Sequence, residues 1–366
     1  MTPPTTTDKQ AQKLFGERLR RGRALRGLSL RALSEKLGGI VSHAALQKYE
    51  KGEIAPNSSV LIAVSDALGL RPDYFFERHP VTLSGIEFRK RTAFGKKKLD
   101  QVIEEAREFF ERYLEIERIL DLKAPALQRI DLSGLHGEAL FDGAEAAAVK
   151  VRKEWKLGMG ALPNVFELLE DHGVKVKEVE AEDSFDGLSG WADHSPVIVL
   201  ATWLNADPPR KRLTALHELG HLVMVLPEAL DKKSEEAVCY RFAGAMLIPK
   251  EAFVAEFGNK RWFPNISLQE LVALKEQWGI SISAVMRRAK DLGIVTEDSY
   301  QRYCMRASAS GLRKDEPGVW MGSESSNRFR QLVHRASAQE LITRSKAAGL
   351  LEVTLRQFDE QYGKAV

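Results

Sequence analysis

The chain has 366 residues, 44% of them apolar and 29% charged, which excludes a mainly disordered polymer and suggests about two to three domains at roughly 150 residues each. No stretch approaches the ~18 uninterrupted apolar residues of a membrane helix, and Cys239 and Cys304 allow at most one disulfide, so a disulfide scaffold and a CxxC zinc knuckle are excluded as well. Net charge is only +3, yet residues 1–98 hold 19 Lys/Arg against 9 Asp/Glu, a net of +10 that leaves the other 268 residues at −7; a basic N-terminal part suggests a polyanionic partner, with a solvated basic face as the alternative.

In chain order, residues 1–10 read as a frayed Thr/Pro tail without the charged-then-apolar pattern of a signal peptide. A cytoplasmic protein with no membrane partner is therefore expected. From Ala11 to about Phe76 run five short helical patterns, broken at Gly27, Gly38, Gly39, Gly52, Pro56, Gly69 and Pro72. Residues 77–137 read as a basic linker, with Arg89-Lys90-Arg91 and Lys96-Lys97-Lys98, followed by one long amphipathic helix over Leu99–Leu120.

A second globular unit is expected over 138–291. Helices are predicted over 138–156 and 161–171, and strands over Val174–Lys177, Ser189–Asp193 and Pro196–Thr202. Asp207-Pro208-Pro209 caps a helix through Val225, and another spans Ser234–Leu247. Two shorter helices occupy 267–291 with Gly279 between them, and the tail from about 310 reads as helical.

The N-terminal patterns fit a helix-turn-helix, with Ser29–Leu37 as its first helix and Ser42–Glu50 as its second. Residues 14–76 resemble the Xre-type repressor family at Leu33, Leu46, Tyr49-Glu50-Lys51-Gly52, Pro56 and Leu68-Gly69, although the turn Gly38-Gly39-Ile40-Val41 is a residue or two longer than that family's. The resemblance implies that His43, Ala44, Gln47 and Lys48 face a major groove and that Ser42 caps the recognition helix beside a phosphate. Arg18, Arg20, Arg21, Arg23, Arg26 and Arg31, with no acid among them, are candidate phosphate contacts. Double-stranded DNA is thus the expected partner, and a protein-docking role is the alternative. A homodimer is common for such domains, but no segment establishes one.

The second unit contains His217-Glu218-Leu219-Gly220-His221. Positions i and i+4 share a helix face, so both imidazoles can hold one ion with Glu218 beside it as the base that takes a proton from water. Pro227 stands six residues after His221, where a metzincin would have a third histidine; Glu235 or Glu236, in the first turn of the following helix, can complete a His-His-Glu set. A negative first turn favoured by the helix dipole is the competing account of both glutamates. Cys239, Cys304 and His334 are expected to be structural; His172 and His194 lie by turns.

Residues 138–291 resemble the ImmA/IrrE family of zinc metallopeptidases through SGWAD (189–193), PVIVLATWL (196–204), RLTALHELGHLVM (212–224) and EAVCYRFAGAMLIP (236–249). The resemblance implies one Zn2+ per chain on His217, His221 and Glu236, with Glu218 as general base. Tyr240 replaces the Asn or Asp usual in that family, and Glu235 is held as a reserve ligand. The implied fold is multidomain and mainly α with a small β-sheet: an all-α helix-turn-helix domain (11–76), an α+β zincin-like metallopeptidase domain (138–291) and a helical C-terminal region (292–366) of undefined role. The implied function is a DNA-binding regulator that cleaves a protein, a repressor or antitoxin-like regulator, in a stress or mobile-element response, with substrate added to an exposed strand at 189–193. Two alternatives stand: a non-proteolytic regulator with a structural or sensing metal, and a toxin-like protein whose partner binds the C-terminal helices.

Overall fold

The computed structural model describes residues 6–76, 81–85, 95–258, 266–312 and 315–362. Arg89-Lys90-Arg91 and the extreme N-terminal residues lie outside the described residues. The molecule is mainly helical with a small mixed sheet, and divides into residues 1–83 with 89–115, and residues 84–88 with 116–366.

The first unit contains α1 (Thr6–Leu25), α2 (Leu30–Lys36), α3 (His43–Glu50), α4 (Ser58–Leu68), a 3-10 turn (Pro72–Phe76) and most of α5 (Lys96–Ile119). Residues 6–10 are therefore helical rather than frayed, and α1 is long rather than short. Ser29, Ser42 and Asn57 accept hydrogen bonds from the backbone N–H groups of Ala32, Ala45 and Val60, so each helix starts on a side-chain cap. Between α2 and α3, Gly38 (φ 64°) and Gly39 (φ 78°) are left-handed, a conformation that glycine adopts without a Cβ penalty. This turn lets Val41 enter the core with Phe15, Leu19, Leu33, Leu46, Val64 and Phe75. At Gly16 a Cβ would stand 2.4 Å from the Tyr49 carbonyl oxygen. That close approach seats α1 against α3.

Strand β1 (Leu83–Ser84) carries the division between the units. The rest of the second unit comprises β2 (Ile130–Asp131), α6 (Glu138–Glu154), α7 (Val165–Asp171), β3 (Lys175–Val179), β4 (Gly187–Ala192), β5 (Ser195–Ala201), α8 (Pro208–Val223), β6 (Met224–Val225), α9 (Lys232–Leu247), α10 (Lys250–Phe257), α11 (Leu268–Trp278), α12 (Ile282–Asp291), α13 (Glu297–Ala309), α14 (Arg328–Ala338), α15 (Arg344–Leu350) and α16 (Leu355–Tyr362). Sheet order is β1-β4-β5-β3, with β4 antiparallel and β3 parallel to β5. Helix α8 packs on this sheet, and α9 packs on both α8 and α6. Leu216, Leu219, Val223, Val238, Phe242, Met246 and Ile198 fill the core between them.

Several sequence expectations change in three dimensions. Helix α7 starts four residues later than 161, because Pro163 lacks an N–H and Asn164 caps the helix through Phe166 and Glu167. The 174–177 segment is not half-buried: Lys175 is interior and paired with Glu117 at 3.1 Å. Helix α8 stops at Val223, where Met224–Val225 turn extended and pair in parallel with Ile130–Asp131. The tail is not helical throughout either. Between α13 and α14 the described chain runs without regular structure, held at two points by acids. Glu316 accepts from the N–H groups of Ile282 and Ser283 at the start of α12, and Glu324 accepts from those of Val165 and Phe166 at the start of α7. Both acids meet the positive end of a helix dipole.

A candidate metal centre on helix α8

Helix α8 begins on Asp207, whose side chain accepts from the Arg210 N–H, followed by prolines at the two positions that need no donor. From that start the 3.6-residue period directs His217, Glu218 and His221 toward α9 and the sheet. His217 and Glu218 are each 1% exposed. The Nε2 atoms of His217 and His221 face one another at 3.3 Å. Glu236 enters from α9, with Oε2 3.3 Å from His217 Nε2 and Oε1 4.0 Å from His221 Nε2. Among the described residues these three form the one group of three or more His, Cys, Asp or Glu side chains with donor atoms all within 4.8 Å of one another.

The spacing tests the donor set against zinc. Tetrahedral ligands at ~2.0–2.1 Å lie about 3.4 Å apart; the two Nε2 atoms are 3.3 Å apart, with one Glu236 oxygen 3.3 Å from His217 and the other 4.0 Å from His221. Two imidazole nitrogens and a carboxylate oxygen are also the donors zinc prefers, and three protein ligands leave one position for water. Glycine makes the approach of α9 possible: a Cβ at Gly220 would meet Phe242 at 3.2 Å and the Cα of Cys239 at 3.5 Å. Cys239 is thus packing between the two helices, outside the ligand cluster.

Neighbouring side chains divide by role. Glu235 approaches His221 on its other nitrogen, with Oε1 3.1 Å from Nδ1. It therefore meets His221 on the nitrogen opposite the one that faces the three converging donors. The Tyr240 ring lies 4.1 Å from the His217 ring at a 42° tilt, one helical turn beyond Glu236, and is exposed. Ser189 on β4 donates to Glu218 Oε2 at 2.8 Å. Ser189 lies within the SGWAD segment, and its signal in sequence is a small hydroxyl residue inside an otherwise apolar strand. Strand β4 is not the exposed strand expected: Leu188, Ser189 and Ala192 are buried, β5 pairs along one side, and β1 is its other neighbour.

Three further histidines stand apart from the cluster. His172 stacks on Trp155 at 4.1 Å and its Nδ1 contacts the Leu168 carbonyl. His194 is exposed at the β4–β5 turn. His334 stacks on Phe358, and burial holds its pKa below the ordinary imidazole value. No disulfide joins Cys239 and Cys304.

In the first unit, α3 presents His43, Ala44, Gln47 and Lys48 to solvent while Leu46 enters the core. Ser42 is exposed and serves as the α3 cap; Arg31 is exposed on α2. The arginine cluster is corrected. Arg18 is 1% exposed and bonded to Glu111 and Glu108, and Arg21 is bonded to Glu111. Arg23 is paired with Glu50, and Arg26 donates to the Leu68 and Gly69 carbonyls. Arg18, Arg21 and Arg23 are thus held within the fold by acids. Arg20, Arg26 and Arg31 are exposed.

Comparison with known proteins agrees with this division. Residues 19–75 match the family model described as helix-turn-helix, and residues 169–290 match the peptidase model described as IrrE N-terminal-like domain. The chain thus joins a helix-turn-helix domain to an IrrE-like domain. An uncharacterized HTH-type transcriptional regulator of Sinorhizobium fredii, y4aM, is 42% identical over 65 residues, which is 18% of this chain; the chain covers 44% of that relative's length. Bacillus thuringiensis PlcR, in its complex with the peptide PapR7 and DNA, aligns over 96% of this chain and 92% of its own at 13% identity, with a TM-score of 0.17 that carries no argument about fold.

Proposed function

We propose that the protein is a zinc-dependent endopeptidase and a DNA-binding transcriptional regulator in one chain. The observation that carries the peptidase reading is the convergence of Glu236 from α9 on His217 and His221 of α8, with Glu218 beside them. Zinc held by those three residues would supply a Lewis acid for a peptide carbonyl and its attacking water. Glu218 would take the proton from that water and return it to the departing amine, held at Oε2 by Ser189. Access from the α9 side supports catalysis over a sealed structural site: the Glu236 side chain is 26% exposed, and Tyr240 stands at the surface beside it.

The regulatory reading rests on the helix-turn-helix. His43, Ala44, Gln47 and Lys48 would read base edges of double-stranded DNA, and Ser42 and Arg31 would contact phosphates. Residues 11–76 form the DNA-binding part in this reading, and 138–291 the peptidase part. The substrate class is a protein regulator, a repressor or antitoxin, cleaved during a stress or mobile-element response. A cytoplasmic protein, with a homodimer on a palindromic operator, is the matching arrangement.

N-terminal peptide labelling of cellular proteins tests the peptidase reading directly. It would compare cells expressing the native chain with cells expressing Glu218→Gln, before and after DNA damage. A new protein N-terminus that requires Glu218 is the expected result and names the substrate. No Glu218-dependent N-terminus under either condition would leave a regulator without proteolysis.

A further inference from the structure

Glu235 lies where a metal ligand was expected to have an alternative, yet its geometry gives it different work. Its carboxylate touches His221 at Nδ1, 3.1 Å away, while Nε2 of the same ring faces His217 and Glu236. An imidazole cannot present both nitrogens to one ion. A carboxylate on Nδ1 fixes the N–H on that atom and leaves the Nε2 lone pair pointing at the ligand cluster; it also makes that lone pair more basic. Helix geometry explains how neighbouring glutamates do different things. Successive residues on α9 are rotated by about 100°, so Glu236 reaches the Nε2 side and Glu235 the Nδ1 side.

We infer that Glu235 is a positioning residue that orients and strengthens His221 as a zinc ligand without itself binding the ion. This rests on the zinc reading above. The competing role is a stabilising negative charge in the first turn of α9, where Asp231 already caps the helix through the Lys233 and Ser234 N–H groups. The two roles separate cleanly. A helix-dipole role acts with or without metal, whereas an orienting role appears in the metal affinity.

The test uses the full-length chain and zinc alone, competed against a chelating dye. The native chain should bind one zinc. His221→Ala and Glu236→Gln should each lose stoichiometric binding. Glu235→Ala should keep one zinc but bind it roughly 10–100-fold more weakly, and Glu235→Gln should fall between, because its amide oxygen can still accept from Nδ1. Metal-free melting temperatures of native, Glu235→Gln and Glu235→Ala should agree closely, with the loss confined to the increment that zinc adds. Unchanged zinc affinity in Glu235→Ala would overturn the assignment. So would loss as complete as in His221→Ala, which would make Glu235 a ligand, or an equal drop in melting temperature with and without zinc, which would make it a helix stabiliser. Failure of the native chain to bind zinc would instead remove the metal reading itself.

Discussion

At the scale of single residues, Ser189 offers a sharp test of how the general base is held. Its hydroxyl donates to the buried Glu218 carboxylate at 2.8 Å, and a hydrogen bond to a charged group is worth about 1.5–3 kcal/mol. Ser189→Ala should therefore lower kcat on the cleaved protein by roughly 10–100-fold, since each 1.4 kcal/mol is a factor of ten. Zinc stoichiometry should be unchanged, because Ser189 is not among the three converging donors. Full activity in Ser189→Ala would show that Glu218 needs no such support. This contact also marks a limit of sequence reading. His217, Glu218 and His221 are legible because one helical period places them together, and the caps at Ser42 and Asp207 are legible from equally local signals. Ser189 lies 29 residues from Glu218, and nothing in periodicity pairs a strand residue with a particular helix residue. The arginine cluster misleads in the same way: no acid interrupts it in sequence, but Glu108 and Glu111 arrive from about 90 residues away.

At the scale of elements, the irregular segment before α14 holds the second unit together at a point invisible to local patterns. Glu324 forms a buried ion pair with Arg212, 112 residues distant, while also accepting from the start of α7. Arg212 donates further to the Leu162 carbonyl and lies under the Trp320 ring at 4.1 Å. Lys211, beside it on α8, donates to the Glu324 carbonyl at 2.8 Å. Removing one partner would strand the other charge in the interior, which typically costs 3–5 kcal/mol. Glu324→Ala should lower the stability of the full chain by about that amount, and adding Arg212→Met should recover much of it; chemical denaturation measures both. Burial raises the Glu324 pKa above its ordinary 4.5, partly opposed by Arg212 and the α7 N–H groups. With the folded value above the unfolded one, this acid's contribution is fully present below the unfolded value and lost as pH rises through the folded value. The difference in melting temperature between the native chain and Glu324→Gln should accordingly move against the native chain as pH rises from about 4, and an opposite trend would mean that Arg212 outweighs burial.

At the scale of the whole molecule, the uneven charge of the sequence needs a different account from the one that composition suggests. The surplus of +10 over residues 1–98 is not all surface available to a polyanion. Arg18, Arg21 and Arg23 are matched to acids, and Arg26 caps the end of α4 through two carbonyls. For DNA this matters quantitatively, because each neutralised phosphate adds about 0.9 to the slope of log affinity against log salt. Arg31→Ala removes an exposed charge beside the recognition helix, so it should reduce that slope by about 1, with little change in stability. Gln47→Ala should act differently, relaxing discrimination among operator variants while leaving the slope in place. Arg18→Ala should act differently again. It removes one of the two arginines paired with the buried Glu111 carboxylate, so affinity and melting temperature should fall together. The measurement is a salt titration of DNA binding by the full chain, once an operator has been mapped by footprinting. A slope that drops with Arg18→Ala at unchanged stability would return that arginine to the DNA interface and overturn the division between fold-holding and phosphate-holding cations.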